Sequence, residues 1–270
     1  MAVPTAQPAA EPRARAFRLA GLVVVLAAGC SFQPAREGEG PGGREQPLAL
    51  TPAQELAVGR RAYREVMDEV GDRVLPAEAP ETERVRRVTD RIARASEIEP
   101  LQREIKLRVR GYRFEWEVNV VRDRQVNAFC LPAGKVFVFT GILPVIGDSD
   151  DRLATVLGHE IAHALAHHAS ERVARERGGA NILRSLSYDR MQESEADHIG
   201  VFLMTFAGYD PDRAVEFWER MHRAGPGGSP PEFLSDHPSD EHRIANLRAW
   251  APKARAAKKA YDEGRIAPAR

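Results

Sequence analysis

The sequence is short of cysteine, of net charge and of long apolar runs, and each shortage removes a class of protein. Only Cys30 and Cys130 occur in 270 residues, and no CxxC pair is present. A disulfide-built scaffold and a cysteine zinc ribbon are therefore excluded. Lys and Arg number 39 and so do Asp and Glu, which leaves no formal net charge. Without a basic stripe or finger spacing, the chain is not expected to bind nucleic acid. Past residue 30 the most apolar run, 136–147, is broken by Thr140 and Pro144 and is too short to span a bilayer. What remains is 43 % hydrophobic residues, ample for one domain with its own core.

The first thirty residues stand apart. Arg13, Arg15 and Arg18 precede the apolar run Leu19–Gly29, which ends Ala27-Ala28-Gly29-Cys30. A basic segment, an apolar stretch of about ten residues and small residues before a cut describe a secretory signal. The cysteine directly after the small residues resembles a bacterial lipobox, which implies lipidation of Cys30 and removal of residues 1–29. The other readings are an ordinary cleaved signal with an incidental cysteine, or an uncleaved anchor. Removal takes away three Arg and one Glu, leaving 36 basic and 38 acidic residues. Ser31 is not the Asp associated with inner-membrane retention, so the expectation is an outer-membrane lipoprotein on the periplasmic side of a bacterial envelope. Residues 30–50, rich in Gly, Pro and Glu, read as a flexible tether. The domain is expected over 51–252, with a charged tail or helix over 253–270.

Within the domain, Thr51-Pro52-Ala53-Gln54 is a capping box with Pro at the first helical position, opening a helix to about Gly71. An Arg-rich helix follows over about 81–96. Alternating apolar residues at 105–109, 114–120, 126–129 and 136–139, between turn signals, indicate a small antiparallel sheet. From about 149 the period is helical again, with helices at 150–168, 189–206, 211–224 and 239–250. The fold class is α+β, mainly helical, with one small antiparallel sheet.

His159-Glu160-Ile161-Ala162-His163 lies inside the 150–168 helix. Residues i and i+4 sit about 40° and ~6 Å apart, so both imidazoles reach one ion. Glu160, about 100° round, is placed beside the ion rather than on it, as suits a general base for water. A third ligand is needed. The extended HExxHxxGxxH form is excluded because positions 166 and 169 are both Ala. A carboxylate from a later helix is the other solution. Glu193-Ser194-Glu195-Ala196-Asp197 supplies it, with Glu193 and Asp197 again four apart. Glu193 is read as the ligand, Asp197 as the residue orienting a ligand histidine through its second ring nitrogen, and Glu195 as a surface charge.

These motifs, with Asn127–Gly134, Ala207–Pro211 and Ser235–Ile244, resemble the gluzincin peptidase family M48, which includes the CAAX-processing proteases, the heat-shock protease HtpX and the Oma-type quality-control proteases. The resemblance implies one Zn²⁺ per chain, held by His159, His163 and Glu193, and a metalloendopeptidase acting on unfolded or misassembled envelope proteins. The alternative function is a zinc-stabilised periplasmic chaperone or assembly lipoprotein with silent proteolysis. The chain departs from the family in Pro-Ala-Gly for Pro-Gly-Gly at 132–134 and in Asp236 before His237-Pro238. Asn127, Ala128 and Phe129 are candidates for an edge strand that pairs with an extended peptide; packing alone is the competing role. His237 and Arg243 are candidates for stabilising an oxyanion, and in relatives the equivalent His can instead approach the zinc and hold the site shut. Cys130 is read as a small buried residue, and His167 and His168 as structural or surface residues near a helix end.

Overall fold

The structure is a computed structural model and describes residues 43–175, 189–223, 232–237 and 242–265. The expected signal segment, Cys30 and most of the tether lie outside these residues. In chain order the elements are helices α1 (Pro52–Val70), α2 (Pro80–Ser96) and α3 (Glu99–Glu104), strands β1 (Glu117–Val121), β2 (Ala128–Leu131) and β3 (Lys135–Phe139), then helices α4 (Leu143–Ile146), α5 (Asp150–Leu165), α6 (His168–Arg175), α7 (Arg190–Phe206), α8 (Asp212–Arg223), α9 (Glu232–Asp236) and α10 (Arg243–Asp262). The mainly helical α+β class is as expected from the sequence. Among the described residues no helix is long and apolar enough to cross a membrane.

The capping box forms: Thr51 accepts from the Gln54 amide and the Gln54 side chain accepts from the Thr51 amide. The sheet differs from a purely antiparallel one. Its order is β1-β3-β2, with β1 parallel to β3 and β2 antiparallel to β3. The tight 132–134 turn makes β2 and β3 antiparallel neighbours, so β1 is left to join the far side of β3. The alternating run at 105–109 is not a strand. Pro100 starts a short helix there, and left-handed backbone at Lys106 and Gly111 interrupts any extended run.

Side chains of the sheet divide between two cores with period two. Phe129, Leu131, Phe137, Phe139 and Val121 pack under Ala62, Val66 and Val70 of α1. Val120, Ala128, Cys130, Val136 and Val138 face the main core with α2, α5 and α7. Cys130 is buried, as read from the sequence.

Helix α5 is the axis of the fold. Ser149 caps it by accepting from the Arg152 amide, and every residue from Leu153 to Leu165 is buried. A helix buried all round lies between layers rather than on a surface. Its tightest neighbour is α7: a Cβ on Gly200 would lie 2.9 Å from the His159 nitrogen, and one on Gly158 would lie 2.9 Å from the Gly200 carbonyl oxygen. Two glycines thus set the separation of the helices beside the first histidine of the motif.

Two boundaries fall elsewhere than the sequence suggests. The packed chain begins before residue 51, because Gln46 and Leu48 are buried and the Leu50 amide donates to Ser170 Oγ at 2.9 Å. At the other end α10 runs through Pro252 to Asp262 with Ala251 and Ala254 buried, so no division occurs at 252.

Candidate metal centre

The motif histidines and Glu193 meet in the interior. His159 and His163, one turn apart on α5, and Glu193, in the first turn of α7, are each 1–2 % exposed. Asp189 caps α7, so Glu193 places its negative charge at the electropositive end of that helix. His159 Nε2 lies 3.2 Å from His163 Nε2 and 3.3 Å from Glu193 Oε2, and His163 Nε2 lies 3.4 Å from Glu193 Oε1. A tetrahedral zinc site with bonds of about 2.0–2.1 Å has edges of roughly 3.3 Å. The donors therefore already stand at the spacing of ligands around one small cation. Two ring nitrogens that both point a lone pair inward gain nothing from each other, and a shared cation removes that conflict. The residues fit a zinc ion on their own geometry.

The protonation pattern agrees with this. Burial holds His163 well below the usual imidazole range, which leaves it neutral. Burial opposes the charge on Glu193, but His237 and His159 outweigh it and hold that carboxylate well below its ordinary value. For His159, burial opposes the charged form, while Glu193 and Asp197 outweigh it and raise the pKa.

The carboxylates of α7 are locked from behind. His159 Nδ1 is 2.9 Å from Asp197 Oδ1, the orientation read from the sequence. Arg243 donates from Nε to Asp197 at 2.5 Å and from Nη2 to Glu193 at 2.7 Å, with its guanidinium stacked 3.8 Å above the Trp218 ring. Arg243 is 3 % exposed. Nε and Nη2 are committed to Asp197 and Glu193, so Arg243 clamps the α7 carboxylates, while its buried Nη1 has no hydrogen-bond partner among the described residues.

Glu160 faces a different side. Its neighbours are Asn127, Ala128, Phe129, Cys130, Asp236 and His237, which together line one small cavity. Burial, partly offset by His237, pushes Glu160 up to about 8. Its Oε1 has no hydrogen-bond partner among the described residues, an orphaned buried oxygen of the kind that needs an occupant of the site to satisfy it. A cation among the donors acts against burial and favours the ionised base. Strand β2, at the edge of the sheet, forms one wall of this cavity. Asn127 donates to Asp236 at 3.0 Å and accepts from the Ala128 amide at 2.8 Å, joining the strand to the turn that carries His237.

His237 belongs to the donor group itself. Its Nδ1 is 3.0 Å from Glu193 Oε1 and 3.2 Å from His159 Nε2, and its Nε2 is 3.4 Å from Glu160 Oε1. His159, His163, Glu193 and His237 form one buried group of possible metal ligands. Residues 238–241 of the same motif lie outside the described residues.

Of the structural and surface readings of His168 the structure bears out the first, whereas Glu195 was misread as a surface charge. His168 is buried with Nδ1 2.8 Å from His163 Nδ1, and its Nε2 is 2.8 Å from Glu195 Oε2. Glu195 is consequently not a surface charge. The i+5 spacing of His163 and His168 hides the contact, because His167, at φ 56°, ends α5 in left-handed backbone and turns His168 back. His167 is fixed in that conformation by Glu55 at 2.9 Å, the Arg108 carbonyl at 2.8 Å and the stacked ring of Tyr112.

Comparison with known proteins gives the family. The family model for Peptidase family M48 matches residues 80–185 and 178–251. The chain is 38 % identical to the mitochondrial metalloendopeptidase OMA1 of Schizosaccharomyces pombe over 230 residues, 77 % of this chain and 64 % of that protein. It is 33 % identical to the human metalloendopeptidase OMA1 over 177 residues, 52 % of this chain and 33 % of that protein. Identity to the beta-barrel assembly-enhancing protease of Escherichia coli is 25 % over 168 residues, 50 % of this chain and 34 % of that one. The chain thus spans less than two thirds of the length of these relatives. With the matched model running from residue 80 to residue 251, over both helices that carry the donors, this chain belongs to peptidase family M48.

Proposed function

We propose that this chain is a zinc-dependent metalloendopeptidase that cleaves unfolded or misassembled envelope proteins from a lipid anchor at Cys30, on the periplasmic side of the outer membrane. The observation that carries the enzymatic part is the pairing of two sets of residues. His159, His163 and Glu193 stand at ligand spacing, while Glu160 lies next to them on the wall shared with edge strand β2. The similarity to proteases named for metalloendopeptidase activity and beta-barrel assembly supports the quality-control reading. The envelope placement rests on the signal segment and the Ala27-Ala28-Gly29-Cys30 sequence.

In this reading His159, His163 and Glu193 hold the zinc, which when bound acidifies water and polarises a peptide carbonyl. Arg243 and Asp197 fix Glu193 and His159 in the ligand orientation. Glu160, ionised, takes the proton of the attacking water and passes it to the leaving amine. The edge of β2 at Asn127–Phe129 binds the substrate backbone through main-chain hydrogen bonds, which tolerates many sequences. His237, at 3.0 Å from Glu193, stands as a fourth donor that closes the site; substrate entry moves it aside.

The test is cleavage of casein by the purified chain. Activity that a chelator removes and zinc restores is expected. Glu160→Gln is expected to lose about 10²–10⁴ of the rate while still binding zinc. A Glu160→Gln protein that cleaves as fast as the parent refutes the assigned base, and zinc retained by Glu193→Ala refutes the ligand set.

A further inference from the structure

Just beyond α5, His168 opens α6 with an imidazole that the proposed chemistry does not use. His163 presents Nε2 to the donor group, so its proton sits on Nδ1. That Nδ1–H meets His168 Nδ1 at 2.8 Å, which must then accept. His168 consequently carries its proton on Nε2 and donates it to Glu195 Oε2, also at 2.8 Å. Glu195 is held by Arg44, which donates to it from Nε at 3.0 Å and Nη2 at 2.6 Å. The same guanidinium donates to Glu171 at 2.5 and 2.7 Å. Glu171 is fully buried and is fixed further by Gln46 and Gln192, each at 3.1 Å. The row from His163 through His168 and Glu195 to Arg44 is consistent in its donors and acceptors once His163 offers its lone pair inward.

The row repeats, on the second histidine, what Asp197 and Arg243 do for the first. His159 is backed by a carboxylate that an arginine clamps. His163 is backed by a carboxylate that an arginine clamps, with His168 interposed. The difference lies in where the arginine comes from. Arg243 opens α10, whereas Arg44 belongs to the stretch ahead of α1, whose Gln46 donates to the Ala166 carbonyl at 2.6 Å and whose Leu50 amide donates to Ser170.

We propose that His168 and Glu195 are positioning residues for the metal ligand His163, and that docking of the segment 44–50 through Arg44 is energetically coupled to metal binding. The inference rests on the ligand set assigned above. Coupling of this kind is reciprocal: the segment tightens the metal, and the metal tightens the segment by the same factor. The chain ahead of α1 is therefore read at the metal, and release of Arg44 loosens it.

Zinc affinity of the full chain, measured by competition with a chromogenic chelator, tests the proposal together with the visible spectrum of the Co²⁺-substituted protein. His168→Leu and Arg44→Ala are each expected to weaken zinc by about 10–100-fold, as loss of an outer partner of a ligand does, and to shift the cobalt bands. His168→Gln, whose amide oxygen can accept and whose nitrogen can donate, is expected to recover most of the affinity. Added zinc is expected to slow amide exchange at residues 44–50 in the parent and not in Arg44→Ala. Arg44→Ala, which removes only a partly exposed side chain, keeps the test decisive if His168→Leu does not fold. Zinc binding unchanged in Arg44→Ala overturns the coupling, as does exchange at 44–50 that ignores zinc. A parent that takes up no zinc overturns the ligand set and this inference with it; a parent that binds zinc beside unaffected variants overturns this inference alone.

Discussion

Replacing Gly200 by Ala should damage the metal site far more than the fold. The added Cβ would lie 2.9 Å from the His159 nitrogen, 3.0 Å from the Gly158 carbon and 3.1 Å from the Gly158 oxygen. All three are backbone atoms, so no rotamer change relieves the contact, and α7 must move off α5 by about 0.5 Å to reach ordinary carbon contact distance. Overpacking of this size costs about 1–3 kcal/mol. Alanine in a helix recovers about 1 kcal/mol relative to glycine. The net loss of stability is therefore about 0–2 kcal/mol, and the protein should fold. The site has no such tolerance. His159 and His163 ride on α5, Glu193 and Asp197 on α7, and metal distances are held to about 0.2 Å. A shift of that size lengthens the His159–Asp197 contact from 2.9 Å and spreads the donors. Zinc affinity should fall on the order of 10–100-fold. Urea unfolding and chelator competition on one preparation measure both quantities. Zinc affinity equal to the parent's, at parental stability, would show that the glycine contact does not set the site.

Arg243→Ala removes the arginine counter-charge of the buried carboxylates Glu193 and Asp197 and should cost about 3 kcal/mol in the metal-free protein, with part of the loss restored by zinc in thermal melts; a loss under 1 kcal/mol contradicts the clamp. Gly59→Ala should destabilise by about 1–3 kcal/mol because its Cβ would meet the Pro132 oxygen at 2.0 Å, prying α1 from the turn between β2 and β3; denaturant unfolding checks it. Asp150, at the start of α5, is opposed by burial but held below its ordinary value by Arg84 and Arg87. A carboxylate with a lowered folded pKa stabilises above its unfolded value, and the contribution disappears as the pH falls through the folded one. The stability gap between the parent and Asp150→Asn should therefore be present at pH 7 and shrink as the pH drops below the carboxylate range. A gap that widens on acidification would have the wrong sign.

The primary donors were legible because they are local. Four-residue spacing on a helix puts His159 beside His163 and Glu193 beside Asp197 whatever the rest of the chain does. Alanine at 166 and 169, where the extended motif needs Gly and His, leaves the third donor to a later carboxylate. The helix start at Thr51 was likewise written in a capping box that acts within one turn.

What the sequence left open was set by contacts between segments far apart in the chain. Alternation marks strands but carries no direction, so the parallel pairing of β1 with β3 emerged only from the topology. His168 reaches His163 because a left-handed residue breaks the helix between them, and no spacing rule anticipates that turn. Glu195 looks like a surface charge in a run of letters, and nothing there joins Arg243 to the α7 carboxylates; their partners lie 151 and 46 residues away. A motif on one helix thus determined which atoms can bind a metal. The crossing of α5 and α7 at Gly158 and Gly200, and the arginines that close behind each ligand, decided where those atoms are held, because buried charges have fixed positions only when the folded chain supplies their counter-charges.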